Sequence, residues 1–185
     1  MKTREDALAL LKQYNESDQL VHHALCVEAV MKHFAKRYGE DEDYWAMVGL
    51  LHDLDYEKYP DEHTQMTEKI LREEGYDEDF IRAISSHGYG LVNEVKPEKN
   101  VEKVLYTIDE LTGLINATAL MRPSKSVMDL EVKSVKKKFK QASFASGVNR
   151  EVILQGAEML GMSLDEVIHE SILGMRSEAE ALGLN

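Results

Sequence analysis

The residues of this chain that could do chemistry are its seven histidines and the carboxylates near them. The stretch "VGLLHDLDYEKYPDEH", residues 48–63, runs an apolar helix end straight into His52 and Asp53, followed by Asp55, Glu57, Lys58 and His63. Buried polar groups cost free energy unless they are partnered, so an imidazole and a carboxylate at this point need a reason. Helical periodicity shows where the other histidines point. In the predicted helix 18–38, Leu20, His23, Val27, Val30, Met31 and Phe34 form one apolar stripe. Trp45, Val48, Gly49 and His52 share a face. His63 lines up with Met66, Thr67, Ile70 and Leu71, and His87 with Phe80, Ile81 and Ile84. Four of the seven histidines therefore face inward from four different segments, whereas His22, His33 and His169 lie off the stripes.

A single inward histidine is an ordinary satisfied core residue. Four of them, one followed by aspartate, suit a shared metal, because neutral imidazole nitrogen is a common ligand. Carboxylates complete such a site. Asp53 follows His52, and Asp109 sits at the edge of the Val101, Leu105, Ile108, Thr112 and Ile115 stripe, with Glu110 expected on the opposite side. Periodicity alone fits Asp109 equally well as a solvated flank residue.

The elements that position these residues read as helices throughout. Thr3-x-x-Asp6 and Ser163-x-x-Glu166 have the form of capping boxes, and Gly39 and Gly161 stand where helices should stop. Asp41 caps a helix to residue 53, Pro60 opens one ended by Gly75, and Asp77 starts one ended by Gly88. Pro97 opens a long helix to residue 120, a basic helix follows over 131–141, Asn149 caps the next, and the last ends near Gly183. No segment alternates with period two over strand length, so the expected fold is all-α.

Composition narrows the function classes. The chain has 185 residues, 43% hydrophobic and 30% charged, which suits one domain over residues 1–185 with a full core. Its longest apolar run, 45–51, falls far short of the roughly 20 residues that span a bilayer, so no membrane is expected. "MKTREDALALLKQY" lacks a signal-peptide core, and the single Cys26 cannot form an internal disulfide; both fit the cytoplasm. Cys26 stands one turn from His23 and reads as a small core residue. With 22 Lys+Arg against 34 Asp+Glu the formal charge is −12, which disfavours nucleic acid as a partner. The basic run "VKSVKKKFKQ" reads as a solvated helix face. Nothing in the pattern sets an oligomeric state.

In this order the residues resemble the HD superfamily of metal-dependent phosphohydrolases, whose pattern is a histidine, a His-Asp doublet after an apolar helix, and a distant aspartate. "HALCV" supplies His23, "GLLHD" supplies His52 and Asp53, and "TIDELTGLINA" supplies Asp109. The core likeness covers residues 18–120, with a C-terminal helical extension over 121–185. "HDLDY" with "DELTGLINA" and "MRPSKS" further resembles a subgroup known as predicted HD-superfamily hydrolases. The resemblance implies an HD-domain helical bundle with a four-ligand site of His23, His52, Asp53 and Asp109. Branches with two metals add histidines between the doublet and the last aspartate, and His63 and His87 occupy that interval. "HTQMTEKIL" lacks the proline and glycine of the family's first such element, and in "ISSHG" Gly88 replaces a second histidine. Tyr56 stands where many relatives have lysine and Asp55 where they have glycine, so that lysine's role does not carry over.

The implied chemistry is hydrolysis of a small phosphate ester, such as a nucleotide, by water activated on one or two divalent metals. Imidazole and carboxylate suit manganese, iron, cobalt, nickel, magnesium and zinc alike. Asp53 would bridge two metals, and Asp55 or Glu57 would move protons unless they form a solvated acidic turn. Lys58, Arg122 and Lys125 are the cations placed by sequence to meet a phosphorylated substrate. Two alternatives stand beside this reading: an HD-fold diiron oxygenase of a small molecule, and a non-catalytic ligand-sensing module. The latter ranks last because all four core ligand types are present.

Overall fold

Polar caps and left-handed glycines divide the chain into helices. The computed structural model describes residues 2–185. In chain order these form α1 (Arg4–Tyr14), α2 (Asp18–Tyr38), α3 (Glu42–Leu51), α4 (Gln65–Glu73), α5 (Glu78–Ser85), α6 (Asn100–Met121), α7 (Val132–Phe139), α8 (Arg150–Leu160) and α9 (Leu164–Ser177). Short 3-10 turns cover Pro60–Glu62 and Ser86–Gly88. Among the described residues there is no strand, only an isolated bridge between Tyr89 and Asn93. The fold is all-α. Thr3 and Asp6 exchange hydrogen bonds at 3.1 and 2.9 Å to start α1, and Ser163 and Glu166 do the same for α9. Gly39 and Gly161 end α2 and α8 at φ 67° and 64°, where a β-carbon would strain the chain.

Two long helices carry the core. α2 packs on α3, α6 and α9, and α6 packs on α2 and α8. Val27, Val30, Met31 and Phe34 of α2 are buried with Leu105, Ile108, Leu111 and Ile115 of α6. Glycines set the closest approaches. A β-carbon on Gly49 would stand 2.9 Å from Met31 Cγ and 3.0 Å from the Val27 carbonyl, so α3 lies directly on α2. That contact brings the end of α3 beside His23. A β-carbon on Gly156 of α8 would stand 2.7 Å from Thr107 Cβ and 2.8 Å from Thr107 Cα on α6.

Several helix bounds differ from the sequence reading. α3 stops at Leu51 instead of residue 53, and residues 52–58 are turns. The helix expected from Pro60 is split: Thr64 takes φ 73°, and α4 begins only at Gln65. α5 ends at Ser85 and tightens into the 3-10 turn, a common way to finish a helix. α6 begins at Asn100 and not at Pro97, because the buried Glu102 carboxylate takes the N–H groups of Glu98 and Lys99 and pairs with Arg82 at 2.5 Å. α9 ends at Ser177, six residues short of Gly183. The segment between α7 and α8 hangs from one side chain. Arg150 donates to the carbonyls of Lys138, Phe139, Gln141, Phe144, Ala145 and Val148, at 2.5 to 3.3 Å. No described helix is long and apolar enough to cross a membrane.

Candidate metal centre

Six residues that are scattered in sequence meet at one point. His23 comes from α2, His52 caps α3, Asp53 follows it, His63 precedes the break at Thr64, His87 sits in the second 3-10 turn and Asp109 lies midway along α6. His23 Nε2 and His52 Nε2 approach Asp109 Oδ1 at 2.9 and 3.0 Å. Asp53 Oδ2 lies 3.2 Å from His52 Nε2 and 3.8 Å from His23 Nε2. Its other oxygen, Oδ1, lies 3.4 Å from His63 Nε2 and 3.3 Å from His87 Nε2, which are themselves 3.1 Å apart. Two groups could therefore hold a metal: His23, His52, Asp53 and Asp109, with ligand atoms within 4.8 Å of one another, and Asp53, His63 and His87 likewise. Asp53 belongs to both, one oxygen to each.

The imidazoles are held so that Nε2 faces the acids. His52 Nδ1 donates to the Gly49 carbonyl at 2.6 Å, and His87 Nδ1 to the Ile84 carbonyl at 2.5 Å. His63 Nδ1 donates to Asp55 Oδ1 at 2.7 Å. A proton fixed on Nδ1 leaves Nε2 as the ligand atom, the arrangement common around bound metals. Asp55 is fully buried, and its Oδ2 also accepts the Thr67 N–H at 2.9 Å. Two imidazoles and two carboxylates at one point, His52 buried and the other three half-buried, fit a divalent metal of the borderline class. Burial works against a charged His52, yet Asp53 and Asp109 hold its pKa well above the usual histidine value. Burial likewise opposes ionised Asp53 and Asp109, yet His52 keeps both well below the usual carboxylate range. For His63, the Asp55 bond and the Asp53 charge outweigh burial and raise the pKa.

Five of the six, all but the fully buried His52, open onto a cavity of about 270 Å³. Its walls beyond the cluster are Tyr56, Leu91, Val92, Tyr106, Glu110 and Val152, with Gly88, Gly113 and Gly147. Gly88 leaves no room for a side chain: a β-carbon there would stand 2.6 Å from Val92 Cγ2 and 3.0 Å from Thr64 Cγ2. Glu110 is a residue the sequence reading assigned to the opposite side of its helix; the structure puts it on the cavity wall. Burial and the neighbouring Asp109 push its carboxyl up to about 7, against the Asn149 N–H it accepts at 3.3 Å. The misreading has a plain cause. α6 is packed on several sides, so a residue off its apolar stripe still faces protein, here the groove toward α8.

Other residues nominated from sequence stand elsewhere. Asp55 is enclosed behind His63 and does not line the cavity. Glu57 accepts the N–H groups of Glu16 and Ser17 at 2.7 and 2.8 Å, tying down the start of α2. Lys58 donates to the Gln13 carbonyl at 3.1 Å and lies over the Tyr14 ring. Arg122 reaches Ser134 and Asp129. Lys125 is an exposed turn residue at φ 51°. None of these lines the cavity. His22 meets the Leu182 carbonyl and His33 meets Glu170 on α9, so both stay outside the cluster. Cys26 is buried, and burial pushes its thiol up to about 12, which keeps it protonated and a poor ligand. In the basic run, Lys133 and Lys136 pair with Glu131 and Asp165, and Lys138 lies over Phe144.

The model of the HD domain family matches residues 20–136, more than half of the chain. No solved structure matches the chain.

Proposed function

The chain belongs to the HD domain family, in general metal-dependent phosphohydrolases, and from that premise we propose that it hydrolyses a small phosphate monoester. In this reading His23, His52, Asp53 and Asp109 hold one divalent metal, and His63 and His87 with Asp53 hold a second. The observation that carries the proposal is Asp53, whose two oxygens face the two histidine groups separately. A metal held there supplies a Lewis acid for a phosphoryl oxygen and lowers the pKa of its water toward about 7. The chain's own part is positioning. Gly49, Ile84 and Asp55 fix the three imidazoles in the tautomer that ligates. Tyr56, Leu91 and Val92 line the cavity around the reacting group. Asp55, named from sequence as a proton carrier, is in this reading a positioning residue for His63, while Glu57, Lys58, Arg122 and Lys125 have no part in the chemistry. The buried thiol of Cys26 suits a reducing, cytoplasmic setting.

The test has two halves. Protein prepared without chelator is analysed for metal per chain, and phosphate release from 4-nitrophenyl phosphate is followed with added manganese, cobalt, nickel, magnesium, zinc and iron. One or two metals per chain are expected, with release abolished by chelation and by Asp53→Asn. Absence of metal uptake, or metal uptake without phosphate release from any monoester, would overturn the reading. A second reading draws on the complete six-residue set, which also suits two irons and oxidation of a small molecule by O₂. Oxygen consumption dependent on ferrous iron, without phosphate release, would favour it.

A further inference from the structure

Resting on the phosphohydrolase reading, we propose that the substrate is a monophosphate of a small, largely apolar alcohol bearing an amino group, and that Glu110 selects it. The cavity carries an unusual balance for an anionic substrate. Among the described residues no lysine or arginine lines it, whereas Asp53, Asp109 and Glu110 all do. The cations nominated from sequence lie off the cavity with other partners: Lys58 on the Gln13 carbonyl and Arg122 on Asp129. Phosphate charge is therefore compensated at the metal cluster and nowhere else in the cavity. One phosphate can sit there. The second and third phosphates of a nucleoside triphosphate would lie against Glu110 and apolar walls, desolvated and without a counter-charge.

The wall that meets the alcohol is chemically distinct from the cluster. Tyr56, Leu91, Val92, Tyr106 and Val152 give it an apolar and aromatic surface. Glu110 is the one acidic lining residue outside the six-residue cluster. Its Oε2 takes the Asn149 N–H at 3.3 Å, and Oε1 takes no donor from the described residues. A half-buried carboxyl beside the acidic cluster and the apolar wall, with one oxygen unclaimed, is matched by an ammonium on the ligand, which would form a charge-assisted hydrogen bond. Size agrees. The cavity, about 270 Å³, lies below the roughly 300–1,000 Å³ usual for drug-sized ligands.

Three non-hydrolysable probes test this on the metal-loaded protein by calorimetry: 4-methylbenzylphosphonate, 4-(aminomethyl)benzylphosphonate and the α,β-methylene analogue of adenosine diphosphate. The amino probe is expected to bind at least tenfold more tightly than the methyl probe, and the nucleotide analogue more weakly than either. In Glu110→Gln, the ratio between amino and methyl probes is expected to fall to within twofold. Equal binding of the two phosphonates by the natural protein, tightest binding of the nucleotide analogue, or a ratio that survives Glu110→Gln would each overturn the proposal. The ranking by the natural protein decides the substrate class even where the variant does not fold. Phosphate release from the matching aryl phosphates is measured separately. A selective protein that releases no phosphate defeats the phosphohydrolase reading, whereas an unselective one that releases it defeats only the assignment of Glu110.

Discussion

Replacing Asp55 by asparagine should silence one half of the metal centre while leaving the other intact. The Asp55 side chain faces two donors at once: the His63 Nδ1–H at 2.7 Å on Oδ1 and the Thr67 N–H at 2.9 Å on Oδ2. Asparagine has the same shape with one oxygen and one NH₂. The Thr67 backbone N–H can only donate, so the amide oxygen must face it and the NH₂ must face His63. His63 Nδ1 then becomes an acceptor, and the imidazole proton moves to Nε2, 3.1 Å from His87 and 3.4 Å from Asp53. An N–H now points where a metal would sit. Loss of such an outer partner typically costs 10–100-fold in metal affinity, about 1.4–2.7 kcal/mol. The fold should lose less, about 1–2 kcal/mol, because the buried Thr67 N–H keeps its acceptor. Equilibrium dialysis against manganese, read as metal per chain over a concentration series, separates the two sites. The expected isotherm keeps the tighter site and moves the weaker one 10–100-fold. An Asp55→Asn protein whose two sites both match the natural protein would refute the tautomer argument, and with it the role of His63.

Further outcomes follow from the same geometry. His23→Ala and Asp109→Ala should each lose most metal at the four-residue cluster by elemental analysis, whereas His22→Ala, whose partners are the Leu182 carbonyl and Cys26 Sγ outside the cluster, should keep it. Metal affinity should rise with pH. His52, its pKa raised above the usual value of about 6.5, must release its proton before Nε2 can ligate, so each pH unit below that raised pKa weakens binding about tenfold per proton released, measured by competition with a chromophoric chelator. Gly156→Ala should destabilise the fold by about 1–3 kcal/mol in urea denaturation, because the added carbon meets Thr107 Cα and Cβ inside ordinary contact distance and α8 must move off α6.

Much of the molecule could be read from local signals. Thr3-x-x-Asp6, Ser163-x-x-Glu166, Gly39 and Gly161 mark helix ends because capping is decided within four residues, and the structure places those ends accordingly. Periodicity found His23 for a similar reason, since it must share a face with Val27 whatever packs there, whereas His63 and His87 reach the cluster from outside α4 and α5. Signals that depend on the whole fold were harder. Pro60 looks like a helix start, but Thr64 breaks the chain at positive φ just after His63, whose Nε2 lies 3.1 Å from His87 Nε2, a long-range contact no local signal announces. Proximity in sequence misled at Asp55, Glu57 and Lys58. Once α3 ends, the turns over 52–58 send these side chains to His63, to the start of α2 and to Gln13 respectively. Arg122 and Lys125 follow the helix of Asp109 in sequence, but Asp109 lies midway along α6 and they lie beyond its far end. Glu110 escaped because a helical wheel assumes one buried face, whereas α6 has neighbours on several.

Arg150 makes the outer wall of the cavity a replaceable part. Its guanidinium gathers six carbonyls between Lys138 and Val148, and that segment contains Gly147 and leads into Val152, both at the cavity. The six metal-facing residues all come from elements that precede it, between α2 and α6. Sequence drift can therefore lengthen, shorten or recharge the wall while the clasp and the metal-facing residues stay as they are. On the proposed phosphohydrolase reading, the preference for the alcohol could then change without rebuilding the cluster.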